Sequence, residues 1–233
     1  MLYADFVAAM DSTMTVLGFD HPNYTNPSDR EWSIDELATI YWDDIERRQP
    51  GDVRFIVAGH SFGGVVAHHL SIKMQHRGRV VSCLAMFDSP WPSSTLPTEP
   101  DVAQFLLNSY GIKPSSSLVL KSENSSLLSS MDFVAAVGQE CRGLHLGDWE
   151  VMSRVYYANV HALRNHSIDH NVTLAFPVVY VRAVGKDVLG DAVAMWTREI
   201  PGLEVKDVEA THSSLCTGSR AAIVASIIDK VIN

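Results

Sequence analysis

Residues 57–64, VAGHSFGG, set a serine between two glycines at a junction between two kinds of local pattern. The run before it, DVRFIVAG (52–59), has the unalternating apolar texture of a buried strand. The run after it, FGGVVAHHLSIKMQHRG (62–78), reads as a helix. Gly-x-Ser-x-Gly at such a junction is the nucleophile-elbow pattern. A Cβ at Gly59 or Gly63 is expected to collide with the neighbouring strand or helix, and Gly64 extends the small-residue contact. The turn lifts the Ser61 hydroxyl above the sheet, next to the helix N-terminus, where the Phe62 N–H can face a developing oxyanion. An idle serine on a tight turn would also fit the bare motif; the flanking strand and helix favour the nucleophile.

Working outward, residues 2–10 read as a short helix and TMTVLGF (13–19) as a strand. Ser33 and Glu36 form a capping box for a helix whose Ile34, Leu37, Tyr41 and Ile45 share one face before Pro50. RVVSCLAMFD (79–88) is a second buried strand. From Ser89 the chain turns Pro- and Ser-rich, with helix-like pieces around 101–110, 131–141 and 148–165. Strand and helix then alternate again: FPVVYVRAVG (176–185), DAVAMWTREI (191–200), LEVKDVEA (203–210) and SRAAIVASIIDKVI (219–232). In the last helix, Ile223, Ile227 and Val231 fall along one side. This order predicts an α/β fold: a mainly parallel sheet with helices on both faces and a helical lid insertion. The expected organisation is a single domain over 1–233, with its core in 1–88 and 166–233 and the lid at about 89–165.

The 233 residues suffice for one α/β domain. A net charge of -9 without any Lys/Arg run argues against a nucleic-acid surface. No apolar run reaches the length of a membrane span, and the first residues lack the pattern of a signal peptide. Cys83, Cys141 and Cys216 are odd in number and far apart, which predicts neither a disulfide framework nor a metal site. A cytoplasmic location is the expectation.

A serine is too weakly acidic to attack unaided and needs a base held by a carboxylate. Of ten histidines, only His212, in VEATHSSL, follows a C-terminal strand and precedes the closing helix. His60 is expected to support the elbow. Two carboxylates stand at strand ends: Asp88 in LAMFDSP and Asp187 in VRAVGKD. Neighbouring parallel strands end on one edge, so either position serves; a plain turn aspartate, common at strand ends, is the other reading of each.

The chain resembles the type I thioesterase domains of nonribosomal peptide synthetases and polyketide synthases, within the α/β-hydrolase superfamily. GHSFGG (59–64), LAMFDSP (84–90), YYANVHALRNH (156–166) leading into FPVVYVRA (176–183), and VEATHSSL (208–215) carry the likeness, from about residue 3 to the end. In those domains the acid follows the strand after the nucleophile helix, which implies Asp88; many α/β-hydrolases use the later position, here Asp187. The resemblance implies that Ser61, His212 and Asp88 cleave an acyl, polyketide or peptidyl thioester borne on a carrier protein's phosphopantetheine arm. Hydrolysis or cyclisation then releases the product. It implies an acyl- or peptidyl-carrier protein as partner, no metal and no resident cofactor. Phe105, Leu106, Phe133, Trp149, Tyr156 and Tyr157 would line or pack the lid.

Relatives begin with a further strand, ending in a His-Pro or Gly-rich loop that supplies a second oxyanion N–H. Here that strand and donor are expected to be absent, with weakened activity; His21–Pro22 follows a later strand and does not match. Two other functions fit the same residues: a general carboxylester hydrolase, or a degenerate hydrolase fold that binds without turnover.

Overall fold

The computed structural model describes residues 3–10, 13–26, 28, 30–93, 96, 146–185 and 192–232. Four strands, β1 (Arg54–His60), β2 (Val80–Phe87), β3 (Val178–Ala183) and β4 (Glu204–Val208), pair in parallel in the order β1-β2-β3-β4. The helices are α1 (Ala4–Ala9), α2 (Pro22–Thr25), α3 (Ile34–Arg48), α4 (Phe62–His76), α5 (Leu146–Asn165), α6 (Ala192–Glu199) and α7 (Gly218–Ile232), with a 3-10 turn at His212–Ser214. The expected pieces around 101–110 and 131–141 lie outside the described residues.

Successive side chains of a strand face opposite ways, and β2 uses both faces for core. Cys83, Ala85 and Phe87 join Val179, Val181 and Ala183 of β3 in a cluster with Phe6 of α1 and Ala221, Val224, Ala225 and Ile228 of α7. Leu84, Met86 and Tyr180 face the other way and are also fully buried. That second face is covered by α4, whose His68 ring lies 5.2 Å from the Trp196 ring of α6. Right-handed crossovers explain the sharing: β1–α4–β2 and β3–α6–β4 deposit both helices on one face. α3 packs on α4, and its predicted capping box is present, with Ser33 Oγ accepting from the Glu36 N–H (3.2 Å) and Glu36 accepting from the Ser33 N–H (2.8 Å).

Two expectations need correcting. TMTVLGF (13–19) forms no strand: Val16 is 47% exposed, and no described strand lies beside the segment to complete a ladder. Apolar–polar alternation alone does not make a strand without a partner. β1 is only partly buried, because it is the outer strand of the described sheet. In α7, Ile223 is half exposed; the small residues Ala221 and Ala225 let Val224 and Ile228 approach the sheet, which turns Ile223 outward.

Residues 1–19, 33–93 and 166–233 form one compact unit, and residues 20–32 and 94–165 a second. In the second, Asn23 is a buried hub: its amide donates to the Arg30 carbonyl (2.8 Å) and its Oδ1 accepts from Ser28 and Trp32. Glu31 pairs with His161 of α5 in the same unit. No helix among the described residues is long and apolar enough to cross a membrane.

Candidate active site

Parallel strands bring all their C-terminal ends to one edge, and loops at that edge are where open α/β sheets place chemistry. Ser61 follows β1 directly and stands at φ 54, a left-handed conformation that only its surroundings can impose on a residue with a Cβ. The surroundings are glycines. A Cβ on Gly59 would sit 2.1 Å from the Gly63 carbonyl oxygen, so the strand and helix touch backbone to backbone. A Cβ on Gly64 would sit 1.8 Å from Ser89 Oγ. Gly63 behaves otherwise than expected: its nearest neighbour would be Tyr3 Oη at 3.6 Å, an ordinary contact, so Gly64 rather than Gly63 makes the second close approach. The Ser61 N–H donates to the Phe87 carbonyl (2.8 Å), extending the β1–β2 ladder into the turn. Phe62 opens α4, and the N–H groups of a first helical turn have no partner within the helix.

The structure joins His212 to Asp88. His212 Nδ1 lies 2.7 Å from Asp88 Oδ2, with both side chains more than nine-tenths buried. An ionised carboxylate can only accept, so the proton is on Nδ1 and Nε2 is left as the basic nitrogen. The other carboxylate oxygen, Oδ1, accepts from the Ala183 N–H (3.2 Å). His212 begins the 3-10 turn after β4, which is closed by Thr211 and Ser214: the Thr211 N–H donates to Ser214 Oγ (3.0 Å). Asp187 lies outside the described residues.

His60 ties the serine turn to the histidine turn. Its ring lies 4.5 Å from the His212 ring, and its Nε2–H donates to the His212 carbonyl (2.8 Å). Burial, and then the neighbouring His212, hold the His60 imidazole down to about pKa 4, so it stays neutral and keeps that single donor. On its other side the His60 N–H donates to Tyr3 Oη (3.2 Å); burial pushes that phenol up to about 12. Tyr3, and the Tyr180 and Trp196 contacts described below, carry no local sequence signal, because their partners are remote in the chain. Of the expected lid residues, Phe105, Leu106 and Phe133 lie outside the described residues, as does the Trp149 side chain; Tyr156 and Tyr157 are half-buried on α5. Among the described residues no cluster of His, Cys, Asp and Glu could hold a metal ion.

The model of the thioesterase domain family matches residues 1–231. A non-reducing polyketide synthase of Pseudevernia furfuracea is 35% identical over 104 residues, 45% of this chain and 5% of that protein. Malpinin synthetase of Mortierella alpina is 30% identical over 92 residues, 40% of this chain and 1% of that protein. The chain thus spans only a small part of the length of these relatives. Among solved structures, a holo four-domain nonribosomal peptide synthetase bound to AMP and glycine superposes with a TM-score of 0.78 at 22% identity, covering 98% of this chain and 18% of that one. The NocB thioesterase domain in covalent complex with a fluorophosphonate nocardicin G analogue gives a TM-score of 0.65 at 19% identity, covering 92% and 81%. At such identities the likeness is one of fold.

Proposed function

Because the chain belongs to the thioesterase domain family, we propose that it releases an acyl, polyketide or peptidyl chain from a carrier protein through an acyl-enzyme on Ser61. His212 Nε2 takes the Ser61 hydroxyl proton as Oγ attacks the thioester carbonyl. The C–S bond then breaks, the proton passes from His212 to the departing phosphopantetheine thiolate, and the acyl group stays as an ester on Oγ. Water or a nucleophile of the acyl chain itself repeats the cycle and frees the serine. Asp88 holds Nδ1 protonated and stabilises the cation formed at each transfer. The Phe62 N–H is the oxyanion donor that this chain's own elbow offers. Phosphopantetheine is the substrate's arm, and no resident cofactor takes part.

The observation that carries this reading is the buried 2.7 Å His212–Asp88 pair on the same sheet edge as a strained serine. Its test compares turnover of acyl-pantetheine thioesters with that of p-nitrophenyl esters. Release from the thioester that vanishes in Ser61→Ala supports a carrier-directed thioesterase. Turnover of simple esters alone favours a general carboxylester hydrolase. No turnover and no labelling by a fluorophosphonate, in folded protein, favours a binding role.

A further inference from the structure

We infer that Tyr180 and Trp196 are positioning residues for the acid, holding Asp88 in its left-handed turn by gripping the carbonyls that follow it; this rests on the triad reading above. Asp88 stands at φ 45, a conformation that a residue with a Cβ holds only where its surroundings impose it. The backbone immediately after it is fixed from two elements far off in sequence. Tyr180 Oη, from β3, donates to the Ser89 carbonyl (2.8 Å). Trp196 Nε1, from α6, divides its single hydrogen between the Ser89 carbonyl (3.2 Å) and the Pro90 carbonyl (3.3 Å). Both side chains are almost wholly buried, at 1% and 0% exposure.

Neither donor is free to wander. The Trp196 indole is packed against the His68 ring (5.2 Å) and, in a T-shaped pair, against the Trp91 ring (4.8 Å). Burial first, then the nearby Asp88 charge, push the Tyr180 hydroxyl above its ordinary range, so it remains a protonated donor. Ser89 Oγ in turn fills the space that a Cβ on Gly64 would claim. The turn is therefore held at residue 89 by contacts from β3, α6 and α4, while the Asp88 side chain addresses Ala183 and His212. A carboxylate whose angle to an imidazole is set this way depends on donors that never touch the reacting atoms.

The test uses Tyr180→Phe, which removes a donor and keeps the ring, and Trp196→Phe, which removes a donor and keeps an aromatic ring of smaller size, singly and together. In resting protein, the low-field proton resonance of His212 Nδ1–H reports the Asp88 contact without any turnover. We expect it to shift upfield in each variant, and kcat on an acyl-pantetheine thioester to fall about tenfold in the double variant with KM unchanged. In an Asp88→Asn background the same two substitutions should change kcat by no more than about twofold, because their route to catalysis is already cut. An unmoved resonance overturns the inference, as does a kcat loss that is equally large in the Asp88→Asn background. If the double variant does not fold, Tyr180→Phe, which deletes one oxygen, is read by the same two measurements. Persistence of turnover in Ser61→Ala would sink the triad reading instead, and the resonance still decides this one.

Discussion

Ser61 and Asp88 are the two non-glycine residues with positive φ among the described residues, and they occupy equivalent places. Each comes one residue after its strand, and the strand ends pair in register, His60 with Phe87. Their N–H groups even make the same kind of bond, Ser61 to Phe87 and Asp88 to Val181, both at 2.8 Å. Holding such a conformation costs about 1–3 kcal/mol, and the two turns offset it by opposite means. The serine turn is imposed by absence: Gly59 and Gly64 lack the side chains that would push strand and helix apart. The acid turn is imposed by presence, through donors on β3 and α6 and the His212 imidazole. Strain set by missing atoms is written locally in the chain; strain set by added hydrogen bonds is written in residues that only folding brings near.

The sharpest way to break this pairing of roles is Asp88→Asn. Asparagine tolerates the left-handed region as aspartate does, so the turn should survive while its amide donates to Nδ1 and moves the imidazole proton to Nε2. We expect kcat to fall on the order of 10³–10⁴-fold and Asp187→Asn to leave it near wild type. Reversed losses in steady-state turnover would transfer the acid's role to Asp187. The glycine side is tested by stability. Gly59→Ala drives a Cβ into the backbone of α4 and should destabilise by more than about 3 kcal/mol, whereas Gly63→Ala meets only an ordinary contact and should stay within about 1 kcal/mol. Similar urea midpoints for the two would undo the assignment of the close approach to Gly59.

A smaller effect is expected from pH. The folded imidazole of His60 is held near 4 against an ordinary 6.5, so between those values the unfolded chain binds a proton that the folded one refuses. Stability is whole above pH 6.5 and is lost as pH falls toward 4, by about 3 kcal/mol from this group at most. His68, lowered to about 4 by burial, acts in the same direction. Unfolding midpoints measured across that range should fall less steeply in His60→Gln, and parallel slopes would show that His60 is not the cause. Least affected should be Asp207→Asn. Arg182 grips Asp207 with two bonds of 2.8 and 2.7 Å across β3 and β4, a geometry as short as His212–Asp88 but open to water. Its loss should cost under about 1 kcal/mol in thermal unfolding; a cost like that of Gly59→Ala would mean that burial does not separate the two pairs.

The strand–serine–helix junction was legible because its determinants are contiguous, and the place of His212 between the last strand and the closing helix was legible from the alternation of strand and helix patterns. The residues alone left Asp88 and Asp187 as alternatives, since an aspartate at a strand end is common for reasons of turn geometry; the structure pairs Asp88 with His212, and Asp187 lies outside the described residues. Tyr180 and Trp196 were invisible: their acceptor at Ser89 lies 91 and 107 positions away. The strand expected at 13–19 failed for the same physical reason, a local pattern whose completion depends on what lies beside it. In α7 the spacing of Ile223, Ile227 and Val231 marked one side of the helix; Ile227 and Val231 pack against the core, and Ile223 is half exposed.

The central claim is that Ser61 becomes acylated by a thioester substrate with His212 as its base. Mass spectrometry of protein quenched during incubation with a synthetic acyl-pantetheine thioester tests it directly. The account predicts an acyl adduct on the peptide containing Ser61, lost in Ser61→Ala and strongly reduced in His212→Ala. An adduct located on another residue, or thioester cleavage that proceeds at full rate in Ser61→Ala, would contradict it.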